Sequence, residues 1–184
     1  YSIGESAYRE SSPFSHTGPT DLSCRFGVAY DKNQLYFIAE IRDDEVYSDS
    51  TQSPYRQDGL WLTIDPRYRN MSAQSRGNDR QNMLTIGISP THNGNDSGLL
   101  FRPMSLPEGT ETHCVKTPNG YRVEIAVPRS WLEEKAGDNW QDVRMNVMLS
   151  DYDLGGDHVS RLYWQPNWSS AENRIGSGMF NVSQ

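Results

Sequence analysis

The sequence has little of what most reactive sites need. Only two cysteines occur in 184 residues, Cys24 and Cys114, far apart and without CxxC spacing, so they cannot form a zinc or redox centre by themselves. Both sit in strand-like segments, either as a disulfide or as two buried thiols. The four histidines, His16, His92, His113 and His158, show no HxH or HExxH spacing, and no GxSxG or phosphate loop is present. Asp58 with Glu124 is the one carboxylate combination that suggests acid and base chemistry, but Asp58 at the start of a strand reads as a turn residue. A non-catalytic chain is expected. No apolar run approaches the roughly 18 residues of a membrane-spanning helix. Basic residues are outnumbered, 17 against 24 acidic, and the formal charge of -7 with no basic run argues against nucleic acid and anionic membrane as partners. The chain starts at Tyr1 with no Met and no signal-like segment, and is read as a piece of a longer precursor.

Aromatic residues are well represented. Ten Tyr, five Trp and five Phe carry enough buryable surface for a packed core, and the length suits one domain over residues 1–184. Period two dominates the pattern. It runs through Phe26, Val28 and Tyr30, then Leu35, Phe37, Ala39 and Ile41 after the turn Asp31-Lys32-Asn33. It continues in Leu60, Leu62 and Ile64, in Leu84, Ile86 and Ile88, in Tyr121, Val123, Ile125 and Val127, and in Val143, Met145, Val147 and Leu149. Shorter strands are expected at Gly98–Arg102, Thr112–Thr117, Arg161–Trp164 and Gly178–Val182. One short helix fits Arg129–Lys135, after Pro128 and before Gly137. About ten strands with one apolar face each must cover one another, which predicts an all-β, antiparallel sandwich of two sheets. The polar stretch Asp65–Asn82 is expected to be a long exposed loop.

The order of motifs is similar to that of the family 9 carbohydrate-binding modules. Pro19-Thr20-Asp21-Leu22-Ser23-Cys24, the strand Leu35-Tyr36-Phe37 ending in Asp43-Asp44, and Gln57-Asp58-Gly59 opening a strand that ends at Ile64-Asp65 carry the first half of the resemblance. Gly120-Tyr121-Arg122-Val123-Glu124-Ile125-Ala126-Val127-Pro128, Met145-Asn146-Val147 leading to Asp151 and Asp153, then Arg161, Trp164 and Ile175-Gly176 carry the second. The resemblance implies a non-catalytic sandwich that binds a polysaccharide or oligosaccharide, with structural calcium. It further implies an accessory domain of a glycoside hydrolase or similar enzyme, hence a secreted, extracellular or periplasmic location, and a monomer when isolated. One departure stands out: where the family usually has a Glu, this chain has Trp61.

Sugars offer C–H patches to aromatic faces and hydroxyls to fixed polar groups. Tyr55, Trp61 and Trp168 are therefore the stacking candidates. Arg122, Glu124, Arg144, Asn146, Arg161 and Asn173 are the candidates for hydrogen bonding. Trp164 is either a further ligand contact or a core indole closing the sandwich. Trp61 is expected to point away from Leu60 and Leu62, and to be exposed. In Asp151-Tyr-Asp-Leu-Gly-Gly-Asp157, the carboxylates of Asp151, Asp153 and Asp157 and the flexible glycines suit a calcium loop; the alternative is a strand-end turn. Asp43, Asp44, Glu45 and Asp49 read as a solvated strand terminus. Two other functions fit the same fold. One is a haem-binding sandwich of the DOMON type using Met83, Met148, His92 or His113, and the other is a structural domain whose sugar site has decayed.

Overall fold

A computed structural model of the chain describes residues 1–4, 8–11, 16–49, 51, 56–67, 82–90, 99–101, 105–136, 142–153, 158–165 and 178–181. Twelve strands are found among them: β1 (Ser2–Ile3), β2 (Tyr8–Ser11), β3 (Leu22–Tyr30), β4 (Gln34–Asp43), β5 (Gly59–Asp65), β6 (Leu84–Ser89), β7 (Leu99–Phe101), β8 (Glu111–Thr117), β9 (Gly120–Pro128), β10 (Asp142–Asp153), β11 (His158–Tyr163) and β12 (Gly178–Asn181). They form two antiparallel sheets. Five strands run in the order β1-β3-β4-β9-β8, and seven make the other sheet, β2-β11-β10-β5-β6-β7 with β12 also on β10. The expected sandwich is the observed fold. β1 is too short and β2 (Tyr-Arg-Glu-Ser) too polar to show an alternating pattern, and neither was anticipated.

Local chemistry explains the best-defined hairpin. The Asp31 carboxylate accepts backbone N–H bonds from Asn33 (2.7 Å) and Gln34 (2.8 Å), folding the chain back between β3 and β4. The resulting register pairs Phe26 with Ala39 and Val28 with Phe37. From β4 the ladder passes to β9, where Phe37 faces Ile125 and Ile41 faces Tyr121. The inner face of the other sheet is made by Leu60, Leu62 and Ile64, by Ile86 and Ile88, and by Met145, Val147 and Leu149, all buried. These two faces form one core. The helix α1 (Arg129–Ala136) starts where expected; the Arg129 N–H donates to the Asn33 carbonyl (2.8 Å) and Leu132 is fully buried.

Two expectations change, and the alternative left open for the cysteines is decided. Asp65 and Arg67, assigned to an exposed loop, are buried and joined by a two-pronged ion pair (2.8 and 2.9 Å). Residues 68–81 of that stretch lie outside the described residues. Asp43, assigned to a solvated terminus, is 3% exposed. The cysteines are unbonded and buried. They sit on β3 and β8 with β4 and β9 between them, a separation of three strand spacings, about 14 Å, where a disulfide needs Cα atoms within about 7 Å. Burial pushes both thiols up to about 12.

Gly120 begins β9 with φ +133, and a Cβ there would lie 2.1 Å from the Ile41 carbonyl oxygen, a backbone atom that cannot move aside. Gly120→Ala is expected to lower unfolding stability by about 2 kcal/mol or more, read as a shift of the urea midpoint. An unshifted midpoint would mean that β4 and β9 do not approach this closely.

Candidate functional site

The outer face of the seven-stranded sheet is built by the residues that alternate with its core. On β5 these are Trp61, Thr63 and Asp65, opposite Met148, Asn146 and Arg144 of β10 respectively. On the other side of β5, Trp61 faces Gly87 and Thr63 faces Thr85. Gly87 brings no side chain to its pair with Trp61, and Met148 is the partner of Trp61 on β10. Thr63 and Thr85 hydroxyls hydrogen-bond each other at 3.2 Å. On β11, Arg161 faces Ser150 and Tyr163 faces Met148. Trp61, Arg144, Asn146 and Arg161 therefore share one face.

That face is less open than alternation alone implies. Trp61 is partly buried, not exposed. Arg144 and Asn146 are 8% and 5% exposed. The Asn146 amide is committed to Gln165: its Oδ1 accepts from the Gln165 N–H (3.1 Å) and its Nδ2 donates to the Gln165 carbonyl (3.2 Å). Asn146 thus anchors the chain that leaves β11. Trp164, just before, is partly buried and packs against the core. It packs edge-on against Tyr1 and Phe26 and lies 5.6 Å from Phe180. Tyr55, Trp168 and Asn173 lie outside the described residues.

Arg122 and Glu124 are elsewhere. Both are exposed on the outer face of the five-stranded sheet, across the core from Trp61, where Arg122 faces Glu40 and Glu124 faces Ile38. Glu124 and the fully buried Asp58 are likewise not brought together. For the haem alternative, Met148 and His113 stand on opposite outer faces, so they cannot ligate one iron; Met83 is buried and His92 lies outside the described residues.

The second site is at one end of the sandwich. Asp43 ends β4, Asp58 precedes β5, Asp151 and Asp153 end β10, and Asp21 precedes β3, so the pairing of these strands gathers five carboxylates. One oxygen each from Asp43, Asp58 and Asp151 lie within 4.8 Å of one another, as do oxygens of Asp21, Asp151 and Asp153. Oxygens around one calcium ion, at about 2.3–2.6 Å from it, are no farther apart than about 5 Å. Asp58 accepts the Tyr152 N–H (2.7 Å) and that of Tyr47, which fixes its carboxylate; Asp43 accepts the Glu45 N–H (3.0 Å). The second oxygens of Asp43 and Asp151 are buried without a hydrogen-bond partner among the described residues. Buried acceptors left open in this way fit a hard cation. Of the expected trio Asp151, Asp153 and Asp157, the first two are in this cluster, and Asp157 lies outside the described residues. Asp21, Asp43 and Asp58 were not anticipated as part of it. The signal available was that each stands at a strand end beside the motifs of the resemblance.

Burial and mutual repulsion disfavour the charged forms. Desolvation, then the Asp43 charge, pushes Asp58 up to about 9; desolvation, then Asp153, pushes Asp151 up to about 8; desolvation pushes Asp43 up to about 7.

Residues 8–173 match the carbohydrate family 9 binding domain-like family. The chain belongs to that family. Two solved structures share the fold of this family 9 domain. The carbohydrate binding module family 9 from Caldicellulosiruptor kristjanssonii in complex with glucose has 20% sequence identity and a TM-score of 0.69, over 95% of this chain and 84% of that one. The same organism's module in complex with cellotriose has 19% identity and a TM-score of 0.68, over 95% and 82%. Comparison with curated proteins gave no significant match. No helix among the described residues is long and apolar enough to cross a membrane.

The acidic end of this family 9 domain sets a pH dependence whose sign is opposite to that of a salt-bridged carboxylate. The folded values of Asp43, Asp58 and Asp151 lie above the ordinary 3.8, so the folded state holds protons that the unfolded chain releases. Their penalty is absent below about pH 4 and grows as pH rises toward the folded values. In metal-stripped protein, Asp58→Asn is expected to reduce the fall in melting temperature between about pH 5 and pH 8 relative to the parent. Parallel pH profiles for the two proteins would contradict the raised values.

Proposed function

We propose that this domain binds a carbohydrate on the outer face of the seven-stranded sheet, with Trp61 as the stacking plate. The observation that carries this is the place of Trp61, on the face opposite the core, flanked by Gly87 on one side and Met148 on the other, with Arg144 and Arg161 on the same face. A sugar ring laid on the indole would use its C–H face there, and its hydroxyls would turn toward hydroxyl and guanidinium groups. The family supports the ligand class, and the complexes of similar structures with glucose and cellotriose supply the first probes. Tyr55, Trp168 and Asn173 remain candidates by sequence alone. Asn146 acts within the proposed site as a positioning residue for the segment after Trp164. The role we assign to the domain is to hold an attached glycoside hydrolase or similar enzyme at a polysaccharide outside the cytoplasm, acting as a monomeric, non-catalytic module.

Trp61→Ala should weaken binding of cellotriose by about 1 to 2 kcal/mol, roughly tenfold, in isothermal titration. Because the indole is partly buried, Trp61→Phe serves as the control that keeps an aromatic plate, and it should lose less. Equal affinity of all three proteins would remove Trp61 from the site.

Calcium is the second part of the proposal, held by Asp21, Asp43, Asp58, Asp151 and Asp153. When bound, the cation supplies charge compensation and coordination for carboxylates that otherwise repel one another. The chain's own contribution is to hold Asp58 by two backbone N–H groups and to keep the second oxygens of Asp43 and Asp151 dry. Excess calcium should raise the melting temperature over that in EDTA at fixed ionic strength, and Asp151→Asn should shrink the difference. Identical midpoints would exclude the site.

A further inference from the structure

Four long polar side chains from distant parts of the sequence meet on the outer face of the five-stranded sheet. Arg25 on β3, Glu40 on β4 and Arg122 on β9 form one cross-strand row, and Arg42 stands two residues beyond Glu40 on the same face. They line a groove of about 980 Å³ between β1 and the β8–β9 turn at Pro118 and Asn119. Arg25 is engaged by the Glu40 carboxylate at 2.9 Å. Arg42 and Arg122 are exposed, and neither has an ion-pair or hydrogen-bond partner among the described residues. As diagonal neighbours on adjacent strands their side chains start about 7–8 Å apart, a spacing from which two guanidinium arms converge on one anionic group.

The chemistry of the groove narrows the ligand. Three guanidinium groups against one carboxylate leave a local positive excess on a chain of net charge -7, a patch that no run of basic residues announced. Guanidinium forks match the two oxygens of a carboxylate in one plane. Glu40 in the same floor disfavours a densely charged polyphosphate, whereas a sugar acid brings one carboxylate per ring and hydroxyls that suit Glu40 and Asn119. We propose that this groove is a second binding site, for the carboxylate of a uronic acid residue in an acidic polysaccharide. The saccharide part of this proposal rests on the carbohydrate-binding function above, although the two faces lie on opposite sides of the molecule.

The test is isothermal titration of the full chain with trigalacturonate, with its fully methyl-esterified form and with cellotriose. The free acid should bind, more weakly as sodium chloride is added, and the ester should bind at least tenfold more weakly. The double variant Arg42→Gln/Arg122→Gln, altered only at exposed positions, should lose at least tenfold for the acid and keep the parent's response to cellotriose. Trp61→Ala should leave the acid's affinity unchanged. Absence of binding by the acid, equal affinity for acid and ester, or an unaltered double variant would overturn the proposal. So would loss of acid binding in Trp61→Ala, which would put the acid on the other face. Silence toward cellotriose together with arginine-dependent binding of the acid would count against the neutral-sugar site alone and uphold this one.

Discussion

Two apolar faces, one from each sheet, exclude water from a single layer, and the residues in that layer dictate where every other side chain goes. Leu60, Leu62 and Ile64 on β5 and Met145, Val147 and Leu149 on β10 are fully buried. With a side-chain period of two, Trp61, Thr63, Arg144 and Met148 are forced to the opposite face. A slip of one residue in β5 would bury the indole and expose three branched aliphatic side chains, a loss of several kcal/mol of apolar burial. The position of the Trp61 indole is thus secured by residues of the core.

The same strand pairing that builds the core brings five aspartates to one end. That convergence is unfavourable by itself, because desolvation and like charge both oppose ionisation of Asp43, Asp58 and Asp151. Protons relieve it at low pH, and at higher pH the proposed calcium would do so. The aromatic cluster of Tyr1, Phe26, Trp164 and Phe180 lies toward the other end of β10, where Val143 pairs with Phe180. One end of the sandwich is held by aromatic packing, while the other gathers buried carboxylates that repel one another.

Most of the fold was legible because it is written in nearest-neighbour alternation, as in Phe37-Ile38-Ala39 or Leu60-Trp61-Leu62. The segments that escaped, β1 and β2, are held by long-range pairing to β3 and β11 and carry no periodic signal of their own. The sites were legible only in part, for the same reason. Alternation says which side of its own sheet a residue faces, and it does not say which sheet. Arg122 and Trp61 each stood outward correctly, yet the strand order puts them on opposite sides of the molecule. The acidic cluster was half visible in Asp151 and Asp153; Asp43 and Asp58 looked like solvated turn residues until pairing buried them. Asn146 looked like a ligand contact because its amide is outward, and only tertiary structure shows that Gln165 uses it.

Two outer faces of different chemistry therefore flank one core, with an indole between Gly87 and Met148 on the seven-stranded sheet and an arginine groove on the five-stranded one. The packed core separates the two faces, so a ligand held on one would not touch the other. The most direct measurement of where a neutral sugar sits is a titration of isotope-labelled protein with cellotriose followed by two-dimensional NMR. Shifts should concentrate on the Trp61 indole N–H and on the amides of Thr63, Gly87 and Met148, with those of Arg42 and Arg122 unmoved. Shifts confined to the five-stranded sheet, or none at saturating sugar, would contradict the account.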